Sequence, residues 1–234
     1  MKASSQRPAA SGARRVVFVT GSDTGVGKTV LTAFLTRRLR AKGVNAVALK
    51  PLCSGGREDA VALEKANRGA LTLDEVNPWH FRAALAPVVA ARRQGRAVRL
   101  AEVAAKVRAV AKRFELVLVE GAGGLLSPLT EDGDNRDLMV ALRAMPLVVV
   151  PNRLGAVNQA RLVLEALPKL ARQRAWVVLV EQRVPDASAR INLALLSASE
   201  PGCRVVRLPW LADGGRHSRR AAEALDALVE AVRD

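Results

Sequence analysis

Residues 21–29 read Gly-Ser-Asp-Thr-Gly-Val-Gly-Lys-Thr, a set of types suited to holding phosphate. Gly21, Gly25 and Gly27 permit left-handed turns and close backbone approach, so that successive N–H groups point at one anion. Lys28 would reach the outer phosphates of a nucleotide, and the Thr29 hydroxyl suits Mg2+. The common loop, G-x-x-x-x-G-K-[ST], has its first glycine at the place of Ser22; here the glycine falls one residue earlier. Glu120 follows an apolar run and opens Glu-Gly-Ala-Gly-Gly. An acidic residue there, opposite a phosphate loop, holds a metal or its waters. The glycines do not make a dinucleotide fingerprint, which needs glycine where Leu126 stands. Lys50 also ends an apolar run, a costly place for an ammonium without an anion to meet. Asp59 either caps the helix it begins or serves the metal. Gly155, Ala156, Val157 and Asn158 open a helix whose free N–H groups either receive an anion or are plainly capped. Trp210, in Leu-Pro-Trp-Leu-Ala, either stacks on a base or fills the core.

These residues need elements to position them. Apolar, β-branched runs predict strands at 16–20, 44–49, 115–119, 146–150, 176–181 and 203–208. Helical periodicity occupies 28–42, 58–68, 100–113, 136–145, 156–173, 188–199 and 218–232. The runs are continuous rather than alternating, as in strands covered on both faces. The expectation is an α/β fold, a doubly wound and mostly parallel sheet of the P-loop type, with ligands at the carboxyl ends of its strands. No internal repeat or long linker interrupts the pattern, so residues 15–234 read as one catalytic domain behind a disordered basic tail at 1–14.

Composition narrows the classes. Half of the 234 residues are hydrophobic and a quarter charged, ordinary for a soluble globular protein, and no apolar run approaches the roughly 20 residues of a membrane span. The opening stretch has no hydrophobic signal core. Cys53 and Cys203 form no C-x-x-C pair, which fits a reducing cytoplasm better than a disulfide framework. His80 and His217 have no partner at metal-ligand spacing and read as surface or loop residues. The formal charge of +15 would favour an anionic partner. The arginines are scattered through helices, however, and aromatics make up only 3% of the chain, so no base-stacking platform shows. A solvated basic surface is the reading, and nucleic acid is not expected.

Taken together, these segments resemble the dethiobiotin synthetase family. Residues 21–29 fit its longer loop G-[ST]-x-T-x-V-G-K-T; Lys50–Gly55 fits K-P-x-x-S-G; Val119–Gly124 is V-E-G-A-G-G. Leu154–Ala160 is similar to L-G-x-x-N-H-A with Gln159 for the histidine, residues 77–81 resemble N-P-Y-x-F, and Leu208–Leu211 resembles I-P-W-L. The resemblance runs from about residue 16 to 212. It implies ATP- and Mg2+-dependent carboxylation and ring closure of 7,8-diaminopelargonic acid through a carbamate and a carbamic–phosphoric anhydride. Lys28, Lys50, Thr24 and Ser54 would be catalytic, Ser54 also holding substrate; Thr29, Asp59 and Glu120 would surround Mg2+. Gly25, Val26, Gly27, Lys28, Thr29 and Val30 would hold the nucleotide, with Pro209, Trp210 and Leu211 beside its base. Gly155, Ala156, Val157 and Asn158 would receive the substrate carboxylate from the partner of a homodimer. Two places depart from the pattern. Glu181 or Gln182 stands where an asparagine reads adenine, with Glu181 the expected reader, and the short 55–58 stretch leaves Glu58 as an alternative to Asp59. The competing readings are a DNA- or protein-binding switch ATPase and a paralogous ligase. Against the switch, Asp23 stands where that branch carries a signature lysine; against a cobyrinate-type amide synthase, neither cysteine has a glutaminase pattern.

Overall fold

The computed structural model describes residues 15–211 and 218–233. The expected tail at 1–14 and His217 lie outside the described residues. In chain order the elements are β1 (Arg15–Gly21), α1 (Lys28–Ala41), β2 (Ala46–Leu49), β3 (Leu52–Ser54), α2 (Glu58–Asn67), α3 (Leu73–Val76) and β4 (Trp79–Phe81). Then come α4 (Pro87–Arg93), α5 (Leu100–Ala111), β5 (Leu116–Glu120), β6 (Pro128–Thr130), β7 (Gly133–Asp134), α6 (Asn135–Ala141) and β8 (Met145–Asn152). The chain continues through α7 (Ala156–Ala166), α8 (Lys169–Arg172), β9 (Trp176–Glu181), a 3-10 turn (Ala187–Arg190), α9 (Asn192–Ser199), β10 (Arg204–Leu208) and α10 (Arg219–Arg233).

Six strands form one sheet in the order β10-β9-β8-β1-β5-β2, every pair parallel. This is the doubly wound fold the apolar runs predict: β2, β5 and nearly all of β8 are buried along their length. From β1 the chain first winds outward to β2, then returns and winds the other way through β8, β9 and β10. Right-handed crossovers in opposite directions put helices on opposite faces. Accordingly α1 packs with α2 and α10, while α5 packs with α6 and α7 with α9. The strand order reverses between β1 and its neighbours β5 and β8, and the carboxyl ends open there into a crevice.

The helix expected over 156–173 is broken. Pro168 follows Leu167 and starts the separate turn α8, because proline has no N–H to donate and its ring clashes with the carbonyl a turn back. Two small sheets, β3 with β4 and β6 with β7, lie outside the main one. Their strands are two or three residues long, too short to carry a periodicity.

Candidate active site

The phosphate loop joins β1 to α1. Its early glycine is explained by packing: β1 runs on to Gly21, which pairs with Val149 of β8. A Cβ at Gly21 would meet a Val26 methyl at 2.6 Å and the Val149 carbonyl at 3.1 Å. The next residue, Ser22, donates its N–H to that carbonyl at 3.1 Å and its hydroxyl to Gln159 Oε1 at 3.3 Å. Gly27, with φ of 97°, turns the chain into α1, a conformation that costs glycine little. Lys28 is buried and donates to the Asp23 carbonyl at 2.6 Å. Burial lowers its pKa to about 8, against the upward pull of Glu120.

Lys50, at the end of β2, also lies buried. Its ammonium is 2.6 Å from Glu120 Oε1 and 2.7 Å from Asp59 Oδ2. Burial disfavours the charge, but Glu120 and Asp59 outweigh it and hold the pKa well above the ordinary lysine value. Burial likewise works against the Asp59 carboxylate, and Lys50 overcomes it to keep that pKa below the usual range. Thr29 donates to Glu120 Oε1 at 2.7 Å. Glu120 Oε2 is buried without a hydrogen-bond partner, and a buried carboxylate oxygen left unpaired is costly. A hydroxyl, two carboxylates and an oxygen in want of a partner fit a hard divalent cation. Among the described residues no group of three or more His, Cys, Asp or Glu side chains forms, so a cation here would draw its other ligands from phosphate and water.

Two cavities flank the loop and hold expected site residues. One, of about 600 Å3, is lined by Thr24, Lys50, Ser54, Glu58 and Asp59 among others. The other, of about 520 Å3, lies between Gly25, Val26, Gly27 and Val30 on one side and Val180, Gln182, Trp210 and Leu211 on the other. A third, lined by Ser22, Gly124 and Gln159 among others, touches the loop but holds none of the expected site residues.

Most residues singled out in the sequence therefore meet around the loop. Thr24, Ser54, Lys50 and Asp59 face one cavity, Val30, Trp210 and Leu211 the other, and Thr29, Lys28 and Glu120 sit between them. Trp210 is half exposed rather than core. Both Glu58 and Asp59 face the first cavity, but Asp59 holds Lys50. Two placements differ from expectation, those of Glu181 and Pro209. Glu181 does not line the second cavity; it pairs with Arg207 at 3.1 Å, and Gln182 lines the cavity instead. Strand alternation sends Val180 and Gln182 one way and Glu181 the other. Pro209 is half-buried but outside that lining. Gly155, Ala156, Val157 and Asn158 line neither cavity, and the Ala156 N–H already donates to Arg153 O at 3.0 Å.

Some positioning groups carry no sequence signal for that role. Asn135, buried at the start of α6, donates to Ala122 O at 2.8 Å and Gly124 O at 2.9 Å and accepts from Ala122 N–H at 3.1 Å. It thereby braces the glycine turn after Glu120. Asn77 donates to Lys50 O at 2.8 Å and fixes the backbone that presents the lysine. Asn77 opens the 77–81 stretch that resembles the family's, but no role could be read from it there, and Asn135, at the start of α6, belongs to no motif.

A family profile described as an AAA domain matches residues 15–218. The chain is similar to the ATP-dependent dethiobiotin synthetase BioD of Anaeromyxobacter dehalogenans (strain 2CP-C), 42% identical over 92% of this chain and 99% of that protein. It is similar to the protein of the same name from Xylella fastidiosa (strain Temecula1), 36% identical over 79% of this chain and 85% of that one. Among solved structures it resembles the hydrogenase maturation factor HypB of Archaeoglobus fulgidus, with TM-score 0.57, 12% identity and 94% and 88% of the two chains covered. It also resembles the cell division protein MinD of Aquifex aeolicus, with TM-score 0.56, 15% identity and 94% and 95% covered. At those identities the structural likeness speaks for the fold alone.

Proposed function

The chain belongs to the ATP-dependent dethiobiotin synthetase family, and we propose that the residues around its phosphate loop carry out that family's reaction. It makes dethiobiotin from 7,8-diaminopelargonic acid, CO2 and ATP. One substrate amine attacks CO2 and loses a proton, giving a carbamate. A carbamate oxygen attacks the γ-phosphorus, and the bond to ADP breaks. The second amine attacks the carbonyl of the resulting anhydride, the urea ring closes and phosphate leaves.

The observation that carries this assignment is the loop's place as a common wall between two cavities, one with Trp210 and Gln182, the other with Lys50, Thr24 and Ser54. In our reading ATP lies across the loop with its base between Trp210 and the Val180 side, and Gln182 reads the base edge. An amide both donates and accepts there, as adenine requires. Lys28 and Lys50 neutralise the phosphoryl oxygens and carbamate, the main demand of phosphoryl transfer. Thr24 and Ser54 orient the diamine or carbamate; Ser54 donates at 2.5 Å to Leu85 O in the free protein. Mg2+, held by Thr29, Asp59 and Glu120, would supply further charge neutralisation at the phosphates.

We further propose a homodimer in which Gly155, Ala156, Val157 and Asn158 serve the partner's site, a reading supported by their standing outside the two cavities that hold Lys50 and Trp210. Residues 15–234 act as one catalytic unit, in the cytoplasm where ATP is available; no helix among the described residues is long and apolar enough to cross a membrane. A switch ATPase is not favoured, because Asp23 stands where that branch carries its lysine.

Phosphate release with Mg2+, bicarbonate and ATP, measured with and without the diamine, tests the reading. Release that depends on the diamine is expected. Release independent of it, or stimulated by DNA instead, would return the loop to a switch or a different ligase.

A further inference from the structure

We infer that the Lys50 ammonium occupies the cation position of the unliganded enzyme, and that a divalent cation entering this position expels Lys50 into the adjoining cavity. The inference rests on the reading of Thr29, Asp59 and Glu120 as the cation's ligands. Lys50 Nζ bridges the two carboxylates at 2.6 and 2.7 Å, and Glu120 Oε1 takes both the Lys50 and Thr29 donors. These are the oxygens a cation would draw on. A single positive charge between two carboxylates leaves them under-neutralised, and Glu120 Oε2 stays buried without a partner. A dication would neutralise both. It cannot share the gap with an ammonium, because like charges in contact inside a protein repel strongly.

The geometry also supplies the exit. Lys50 lines the cavity of about 600 Å3 that Thr24 and Ser54 share. Its backbone is fixed by the 2.8 Å bond from Asn77, so the move needs only rotation of the four-carbon stem. The lysine therefore reaches the reacting groups once the metal–nucleotide is seated, which orders loading before chemistry. Before loading, the same ammonium compensates the Glu120 carboxylate, which would otherwise stand buried and unpaired, and holds the half-exposed Asp59 beside it.

Binding of Mn2+ to the nucleotide-free protein, followed by the EPR signal of free Mn2+, tests the exchange. Lys50→Met, close in shape and uncharged, should bind Mn2+ about tenfold more tightly than wild type, and Lys50→Arg should stay near wild type. Glu120→Gln should abolish the gain when combined with Lys50→Met. Equal or weaker affinity in Lys50→Met, with binding still dependent on Glu120, overturns the exchange and leaves the ligand reading standing. Binding indifferent to Glu120 and Asp59 even with ADP present overturns the ligand reading itself. Should Lys50→Met fail to fold, the wild type answers alone. Acetylation of Lys50, located by peptide mass, should be several-fold faster in the Mn2+–ADP complex than in the free protein, and an unchanged rate overturns the exchange.

Discussion

Gln182 and Glu181 stand side by side at the end of β9 and face opposite ways. The glutamate is held by Arg207, while the glutamine lines the cavity proposed for the nucleotide and spends one N–H on Val180 O at 3.1 Å. Gln182→Ala should raise KM for ATP about tenfold, the worth of one or two hydrogen bonds, and narrow the preference for ATP over GTP and CTP. Glu181→Ala should change neither, and kcat/KM with the three triphosphates separates the two residues. A lost ATP preference in Glu181→Ala would return the base contact to the glutamate. The sequence reading favoured the glutamate, and a one-residue offset at a strand end reverses which side chain faces the ligand. Lys28, Lys50, Glu120 and Asp59 were legible for different reasons. Lys50 and Glu120 stand just after apolar runs, where a charge has few roles in a buried sheet; Lys28 stood out by its phosphate loop, Asp59 only beside Glu58, and the fold brings the four together. The bracing roles of Asn135 and Asn77 were not legible, since most of their partners are backbone groups set by the tertiary fold.

Among the elements, β2 carries the most consequence, as it delivers Lys50 from the edge of the sheet. An edge strand has unpaired backbone groups, and here Asn67 completes them. Its amide accepts from Ala48 N–H at 2.8 Å and donates to Ala48 O at 3.0 Å. Asn67→Ala should lower the unfolding free energy by about 2–3 kcal/mol, the cost of leaving buried donors and acceptors unmade, as read by urea denaturation. A loss below about 0.5 kcal/mol would mean that water takes over the role. The closing helix α10 is held to α1 differently. Arg38 meets Asp226 with two bonds of 2.6 and 2.8 Å, and Lys42 adds a third contact at 2.9 Å. Hydrogen bonding from Arg38 first, then Lys42, holds the Asp226 pKa well below its ordinary value of 3.8. A depressed carboxylate pKa stabilises the fold above the unfolded value, and that contribution fades as pH falls through the folded one. The groups are about one-third exposed, so screening leaves about 1 kcal/mol. Asp226→Asn should show that deficit at pH 7, and the gap to wild type should narrow as the pH drops below 4. The strand and helix periods exposed the frame of the molecule in the sequence. They missed the break at Pro168 and the two small sheets, where one ring or a few backbone bonds overrule periodicity.

At the scale of the whole molecule, the helix end proposed to bind the substrate carboxylate lies outside the two cavities that hold Lys50 and Trp210, and that makes a demand on assembly. If each site joins the phosphate loop of one subunit to α7 of the other, two differently damaged chains should repair each other. Lys28→Ala removes the phosphate contact. Gly155→Asp sets a negative charge where the substrate carboxylate would bind; the position is open, with nothing within 4 Å of an added Cβ, and although its φ of 89° strains any side chain, aspartate is among those that adopt positive φ most often. Each variant alone should be nearly inactive. Mixed at equal concentration and allowed to exchange, half of the dimers are hybrids, and each hybrid holds one site with both contributions intact. Activity should therefore return to about one quarter of wild type, the statistical limit for a two-fold dimer with shared sites. The assay is diamine-dependent phosphate release, with size-exclusion chromatography to show that dimers form. A mixture no more active than its components, while hybrids are present, would place α7 and the loop in one subunit's site or take α7 out of catalysis.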